Sequence, residues 1–405
     1  MKALLHRHVW QRLPRGLRRG ALFAAAGVLA PRARPGPTGL TAPIAVAGAL
    51  RTASGLGESA RLCIAALSGG GSAVAGHDLG GLFMQRQDLP LGDAVAARPG
   101  PGVLILHVNA PLLPLALLRL GTPVVRGKRI VGYWAWELPQ APPDWRGGLR
   151  HVHDIWVPSR FTAAAVDALG GPAAHVVPHP LPPAAPRRLP RAAFGLPGDA
   201  FLVTLLFDMG SSFARKNPLA AIAAFRQAFG DDRRRHLAIK VSAEAAAPAA
   251  AAGLRAAVAG AANMSIHDRV LSRPELQGWL ANADAVLSLH RAEGFGLIAA
   301  EAMQLGLPVV ATNWSGNVDF MTAENAALVD YALVPAVDPQ GTYDFPGQRW
   351  AEPAVGDAAR WLRRLADDRE LGRRLGAAAA AAVAARLGPA AYRSRVGELL
   401  RGGGA

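Results

Sequence analysis

The sequence predicts two α/β domains, each a parallel sheet with helices on both faces, facing each other across a cleft. Three observations lead there. At 405 residues, the chain exceeds what one core commonly serves. From about Pro43 onward, short apolar runs alternate with longer segments of helical spacing, which is the pattern of βα units. That alternation then stops and restarts across Pro178–Pro197, a stretch with seven prolines beside Arg187, Arg188 and Arg191. Such a composition reads as an interdomain linker. The expected divisions are a leader at 1–42, a first domain at 43–180, a linker at 181–197 and a second domain at 198–388.

In the first domain, Ile44–Leu50 reads as a strand and Ser59–Leu67 as the helix after it. Gly102–Val108, "GVLILHV", is apolar throughout, as a strand buried on both faces should be. Ile130–Trp136 and Asp154–Val157 are further strands, separated by a proline-rich bend at Leu138–Pro143. In the second domain, Phe201–Asp208 is a strand, Pro218–Phe229 a helix and His236–Val241 a strand. Ala285–Leu289, Leu297–Leu305 and Pro308–Thr312 continue as strand, helix, strand. The closing text is helical: Val355–Ala366, an alanine-rich run to about Arg386, then Pro389–Leu400.

Charge narrows the partners. Lys and Arg number 44 against 29 Asp and Glu, a net charge of +15, which suits phosphorylated ligands or anionic lipid. No basic run is interleaved with stacking aromatics, so nucleic acid is not expected as a partner. Cys63 is the only cysteine, which rules out an internal disulfide and a thiolate zinc cluster and suits a reducing cytoplasm. Residues 1–57 carry nine Lys or Arg and no acid before Glu58. Within them Leu5, Val9, Leu13 and Leu17 recur every four residues, beside Trp10, as in a short basic amphipathic helix bent near Pro14. The run Ala21–Ala30 is too short to span a bilayer. Residues 1–40 are therefore expected to touch an anionic membrane surface or to be disordered. The alanine-rich residues after a basic region leave a signal peptide as the lesser reading.

The chemistry concentrates in "SLHRAEGFGLIAAEAMQLGLPVVATNWSGNVDFM". A strand feeds a loop holding Glu293, Gly294 and Gly296, and a helix begins near Leu297. Glycines let the backbone approach a ligand, and the N–H groups of a helix start favour a phosphate. Glu293 and Glu301 are eight residues apart, one in the loop and one a turn inside the helix, so the two carboxylates can meet different parts of one ligand. A surface acid and a helix acid would be the bland account of the same pair. Upstream, "FDMGSSFARKNPLAAIAAF" sets Arg215 and Lys216 after a strand and before a helix opened by Pro218. Cations there can neutralise charge growing on a departing diphosphate.

The spacing E-x7-E within "EGFGL…EAM…G.PVVAT" resembles the donor-site signature of family 4 of the retaining glycosyltransferases, bacterial type. The segments "SGLGESARL", "HVNAPLLPLALLRLG", "GYWAWELPQAPPDW" and "WVPSRFTAAAV…VVPHPL" resemble other parts of bacterial members, so the likeness runs from about Gly48 to the C-terminus. It implies the GT-B fold, two Rossmann-like domains across a cleft, with the final helix at 389–402 packing back on the first domain. It implies a nucleotide-diphosphate sugar, UDP- or GDP-linked, as donor. The acceptor would be a hydroxyl on a glycan or lipid-linked glycan, glycosylated with retention in polysaccharide or glycan synthesis.

In that family Glu301 would hold the ribose, Glu293 the transferred sugar, and the backbone of Phe295, Gly296 and Leu297 the sugar hydroxyls. Gly55 and Gly57 would approach the diphosphate from the first domain. Lys216 and Arg215 would stand where other nucleotide-sugar enzymes use a metal, so neither metal nor cofactor is expected. Here the two are adjacent, whereas the family pattern separates them, and Arg215 could instead be a solvated or acceptor-facing charge. His107, Asn109, Trp134 and Glu137 lie at or after strand ends, on the expected acceptor rim, where a structural role weighs as heavily as a functional one. The expected location is cytoplasmic, at the inner face of the membrane if the leader binds there.

Two readings compete. Gly55-Leu-Gly57-Glu-Ser-Ala60 also fits G-x-G-x-x-A, with Asp78 near the place of a ribose-binding acid, as in an NAD(P)-dependent oxidoreductase. The first strand, however, ends several residues before Gly55, and that reading leaves Lys216, Glu293 and Glu301 without a task. A catalytically silent sugar-binding scaffold is the other alternative, which the joint presence of those three residues disfavours.

Overall fold

The computed structural model describes residues 15–33, 42–71, 74–83, 87, 89–90, 99–187 and 189–402. Two six-stranded parallel sheets organise it. The first runs in the order β2-β1-β3-β4-β5-β6, from Ile44–Gly48 (β1), Val74–Asp78 (β2), Gly102–Leu106 (β3), Lys128–Tyr133 (β4), Asp154–Val157 (β5) and Ala174–Val176 (β6). The second, β12-β11-β10-β7-β8-β9, is built from Phe201–Asp208 (β7), Arg235–Ser242 (β8), Met264–Asp268 (β9), Ala285–Ser288 (β10), Val309–Thr312 (β11) and Ala327–Val329 (β12). Inner strands are apolar because both their faces are covered: Val103, Leu104, Ile105 and Leu106 are all fully buried.

Each sheet changes winding direction once, between β1 and β3 in the first and between β7 and β10 in the second. In open parallel sheets the crevice beyond the strand ends at such a reversal is where ligands bind. The loops leaving β7 and β10 carry Arg215, Lys216 and Glu293, and those leaving β1 and β3 lead to Gly55 and His107.

The structure departs from the sequence expectations in several places. The helix after β1 begins at Gly55, four residues earlier than expected, because the Ser54 side chain caps it by accepting from the Gly57 N–H at 3.2 Å. Strands β2, β6 and β9 are short edge or near-edge strands with half-buried polar residues, which hides them from an apolar-run reading. A two-stranded antiparallel hairpin, Tyr331–Pro335 (β13) and Arg349–Pro353 (β14), was not anticipated either. The linker is fastened along its length: Leu181, Phe194 and Leu196 are buried in the second domain's core, and Arg191 pairs with Asp284 at 2.8 Å.

The leader is also more ordered than a tail. Arg15–Leu29 is a helix against Leu113–Leu120, with Ala26 and Ala30 buried and the Ala33 N–H donating to Arg150 O at 2.9 Å. Leu5, Val9 and Leu13 of the predicted stripe, and the side chain of Leu17, lie outside the described residues. The stretch Arg369–Leu400 is long and apolar enough to cross a membrane. It is two helices, meeting at Gly388, whose Leu375, Ala379 and Val383 enter the second domain's cores. Tyr392, Val396 and Leu399 enter the first domain's.

Candidate active site

Glu293 stands at the centre. Its N–H donates to Ser315 Oγ at 2.8 Å, and its carbonyl accepts from Gly316 N at 2.8 Å. Gly316 lies so close to the Gly294 carbonyl that a Cβ would come within 2.2 Å of it, so the loop from Trp314 to Asn317 is fitted flush against the EGFG loop. One carboxylate oxygen of Glu293 meets Lys216 Nζ, and the other lies 3.2 Å from Arg215 Nη1. Arg215 is buried, not solvated, and donates to the carbonyls of Ala292 and Ser211 at 2.8 and 3.0 Å. Both cations sit on a one-turn helix, Phe213–Lys216, bracketed by Ser212 and Asn217 at φ of 62° and 51°. Ser315 is at φ 78°. Three of the four described non-glycine residues with positive φ therefore border this cluster, the kind of strain that a rigid surround sustains at a working site.

The electrostatics follow from burial and pairing. Burial would raise the Glu293 carboxyl, yet Lys216, Arg215 and His290 outweigh it and hold it at about 2. Burial lowers Lys216, and Glu293 opposes that shift without cancelling it. For Arg215 burial also disfavours charge, while Tyr343, Glu293 and Glu137 more than offset it and keep the guanidinium protonated. The two cations are thus held together beside Glu293, an arrangement that suits an anionic leaving group.

Glu301 lies one turn inside the helix Leu297–Gln304, whose first-turn N–H groups have no partner within the helix. Its carboxylate is buried and reaches Arg273 Nη2 at 3.1 Å. Arg273 Nη1 meets Glu58 Oε1 at 2.5 Å, and Glu58 pairs with Arg61 at 2.7 Å. This ionic chain joins the helix that begins at Gly55, in the first domain, to the expected ribose carboxylate in the second. Burial, helped by Glu58 and opposed by Arg273, raises the Glu301 carboxyl to about 7.

The remaining expected residues divide. Phe295 is buried, its ring against Phe320 and His179, and Gly296 turns at φ 95° with Asn317 behind it. Gly55 has open space where a Cβ would stand, whereas a Cβ on Gly57 would strike the carbonyls of Ala49 and Thr52 at 2.6 Å. Gly57 thus serves the packing of its own loop. On the acceptor side, Asn109 spends its amide on both backbone groups of Ala135, at 2.9 and 3.0 Å. Trp134 is fully buried, edge-on to Trp145. His107 is buried too, 2.8 Å from Ser59 Oγ and stacked on Tyr133, and burial holds it neutral. Trp134 and His107 thus lie in the interior, and Asn109 is half-buried. Glu137 is half-buried and accepts a hydrogen bond from Tyr343 of the hairpin loop at 2.9 Å.

For the oxidoreductase reading the geometry is unfavourable. Six residues separate β1 from the glycine helix, and Asp78 takes the N–H groups of Arg51 and Gly80 as a turn acid. Arg273, Glu58, Ser159 and Tyr343 were not found from sequence. Glu58 had a visible signal, an acid in the first turn after the glycine loop. The Ser272-x-x-Glu275 capping box marked the helix that carries Arg273 at its first position. Tyr343 lies in a loop without any such mark. Ser159 caps the helix Arg160–Asp167 and donates to Gly294 O at 2.6 Å, tying the first domain to the EGFG loop.

Comparison with known proteins agrees with this layout. Anabaena HepE, solved in complex with UDP and glucose, is 14% identical at a TM-score of 0.64, over 88% of this chain and 98% of that one. Sucrose-phosphate synthase of Thermosynechococcus elongatus is 16% identical at 0.64, over 89% and 98%. At such identities these likenesses establish the fold, GT-B. D-inositol 3-phosphate glycosyltransferase of Paenarthrobacter aurescens is 45% identical over 58 residues. That match spans 14% of this chain and 14% of the curated relative's length. The profile of the family described as "Family 4 Glycosyltransferase in conflict systems" matches residues 159–388, more than half of the chain. Those residues include Lys216, Glu293, Glu301 and Arg273, and the chain belongs to that family of glycosyltransferases.

Proposed function

We propose that the protein transfers a sugar from a UDP- or GDP-linked nucleotide-diphosphate sugar to a hydroxyl acceptor, with retention and without a metal. The observation that carries this reading is the trio of Arg215, buried, with Lys216 and Glu293, half-buried, at the winding reversal of the second sheet, followed by Glu301 one turn inside the next helix. As the bond from the anomeric carbon to the leaving phosphate breaks, the diphosphate gains negative charge. Lys216 and Arg215 supply the compensating charge that a divalent cation would otherwise provide. Glu293, ionised throughout the neutral range, orients the sugar. Glu301 holds the ribose hydroxyls, and the helix start at Leu297 faces the phosphates. The new bond to the acceptor oxygen forms on the face the diphosphate leaves, and the acceptor proton passes to the departing phosphate oxygen.

A glycan or lipid-linked glycan is the acceptor we infer, in polysaccharide or glycan synthesis, in the cytoplasm. Residues 1–40 would supply contact with an anionic membrane surface. HepE binding UDP and glucose makes UDP-glucose the first donor to try. The test is release of free nucleotide from a panel of UDP- and GDP-sugars, in the presence and absence of EDTA. Donor turnover that survives EDTA and falls about a hundredfold or more in Lys216→Ala supports the reading. Activity abolished by EDTA and restored by Mg²⁺ or Mn²⁺ refutes the metal-free part of it, and NAD(P)H turnover refutes the whole.

A further inference from the structure

The hairpin Tyr331–Pro353 belongs to the second domain by sequence, yet its tip packs into the first. Ala336, Tyr343 and Trp350 are buried in the first domain's core cluster, and Trp136 lies against the rings of Tyr343 and Phe345 at 5.4 and 5.7 Å. Gln348 exchanges hydrogen bonds with both backbone groups of Gln140, at 3.3 and 3.1 Å. The tip also grips the turn that carries the two cations. The buried Asp338 carboxylate accepts from Ser212 Oγ at 2.8 Å, and Ser212 in turn accepts from the Arg215 N–H at 3.2 Å. Asp338 also takes the N–H groups of Gln340, Thr342 and Tyr343, at 3.2, 3.0 and 3.1 Å. Gln340 accepts from the Phe213 N–H and donates to Met209 O, at 2.5 and 3.1 Å. The strained φ of Ser212 is thus held from outside its own segment.

Tyr343 joins the two halves of this arrangement. Its hydroxyl donates to Glu137 from the first domain, and its ring lies under the Arg215 guanidinium at 5.3 Å. Resting on the transfer reading above, we propose that the hairpin is a cross-domain strap and that Tyr343 is a positioning residue for transfer. It fixes the acceptor-side carboxylate of Glu137 at a set distance from the leaving-group cation Arg215. An apolar ring alone would fill the same space; only the hydroxyl registers Glu137. The acceptor group that this geometry fits is a hydroxyl able to donate to Glu137 beside the departing diphosphate, as on a sugar or polyol.

The experiment is a double-mutant cycle of Tyr343→Phe and Glu137→Gln, read as nucleotide release at saturating donor, with affinity for the bare nucleotide measured beside it. Each single variant should lower turnover about tenfold, the scale of one hydrogen bond to a carboxylate. Nucleotide affinity should stay within about twofold, and the double variant should be little worse than either single one. Losses that multiply to about a hundredfold in the double variant, or a fall in nucleotide affinity matching the fall in turnover, overturn the positioning role. If the wild type releases nucleotide from no donor, the transfer reading fails on its own, and the strap is judged by amide exchange. Asp338→Asn should then speed exchange across residues 209–217 and leave the helix Pro218–Phe229 unchanged; unaltered exchange at 209–217 overturns the strap.

Discussion

Replacing Glu301 by Gln should make the unliganded protein more stable at alkaline pH while disarming it. The carboxylate is buried, and its single partner, Arg273 at 3.1 Å, is shared with Glu58, so pairing does not repay desolvation. Its carboxyl is raised from the ordinary 4.5 to about 7. A raised carboxyl keeps its proton in the folded state after losing it in the unfolded one, so its contribution falls as pH rises from about 4.5 and levels off above about 7. At 1.36 kcal/mol per unit the full span is about 3 kcal/mol, of which roughly 2–3 kcal/mol falls between pH 5 and pH 8. Glutamine keeps the shape and an oxygen for Arg273 but has no charge to bury. In urea titrations without nucleotide, the stability difference between Glu301→Gln and wild type should grow in the variant's favour by that amount from pH 5 to pH 8. Nucleotide affinity should fall by about 2–4 kcal/mol, the worth of two charge-assisted hydrogen bonds to ribose. A stability difference that is the same at both pH values would show that Arg273 fully compensates the carboxylate, and the reasoning would be wrong.

Glu293→Gln should do the opposite and cost about 3–5 kcal/mol at pH 7 by chemical denaturation, because Arg215 is then left charged and buried without its partner. Since the Glu293 carboxyl is held at about 2, the wild-type stability it supplies is complete above about 4.5 and is lost as pH falls toward 2; a loss in the variant that persists undiminished at pH 2 contradicts this. Ser159→Ala removes both a helix cap and the donor to Gly294 O, and thermal unfolding should show a loss of about 1–2 kcal/mol. Gly316→Ala places a Cβ within 2.2 Å of Gly294 O, so it should cost about 1–3 kcal/mol and weaken sugar-nucleotide binding more than binding of the bare nucleotide, measured by calorimetry.

How much of this was legible depended on the range over which each residue acts. Buried parallel strands such as Gly102–Leu106 and Phe201–Asp208 announce themselves because both faces must be apolar. The edge strand Met264–Asp268 does not, since Ser265 and His267 hydrogen-bond to each other on its half-buried face. The donor side was readable because its pieces sit within a few residues of a strand end or helix start, where glycine, acid and base have local meanings. The acceptor side was not. Asn109, at a strand end and polar, looks like a ligand group, but its amide completes backbone bonds with Ala135, 26 residues away. For Arg215 the sequence left open a solvated charge beside the leaving-group role, and the structure encloses it between carbonyls of Ser211 and Ala292. Tyr343 and Arg273 meet their partners across the two domains, and local text carries no trace of such pairings.

The bridges between the domains fall on the same residues as the site. Ser159 holds the Gly294 carbonyl, Arg160 pairs with Asp319 at 3.1 Å, Arg273 spans Glu58 and Glu301, and Tyr343 holds Glu137. The residues that join the halves are thus neighbours of the proposed donor and acceptor faces. These four bridges are polar, and Arg160 is largely exposed, so each contributes about 1 kcal/mol or less where water competes, and somewhat more where buried. Beside them the hairpin adds apolar contact, with Tyr343 and Trp350 buried against the first domain's core. Under the proposed function, a donor entering the crevice would take the Glu301 carboxylate from Arg273, offering two ribose hydroxyls and a diphosphate in exchange. That contact lies within the second domain; the pair that reaches the glycine-loop helix is Arg273 with Glu58. Glu301 thus pairs without ligand with an arginine that Glu58 ties to the first domain, and under the proposed function it would hold the ribose instead.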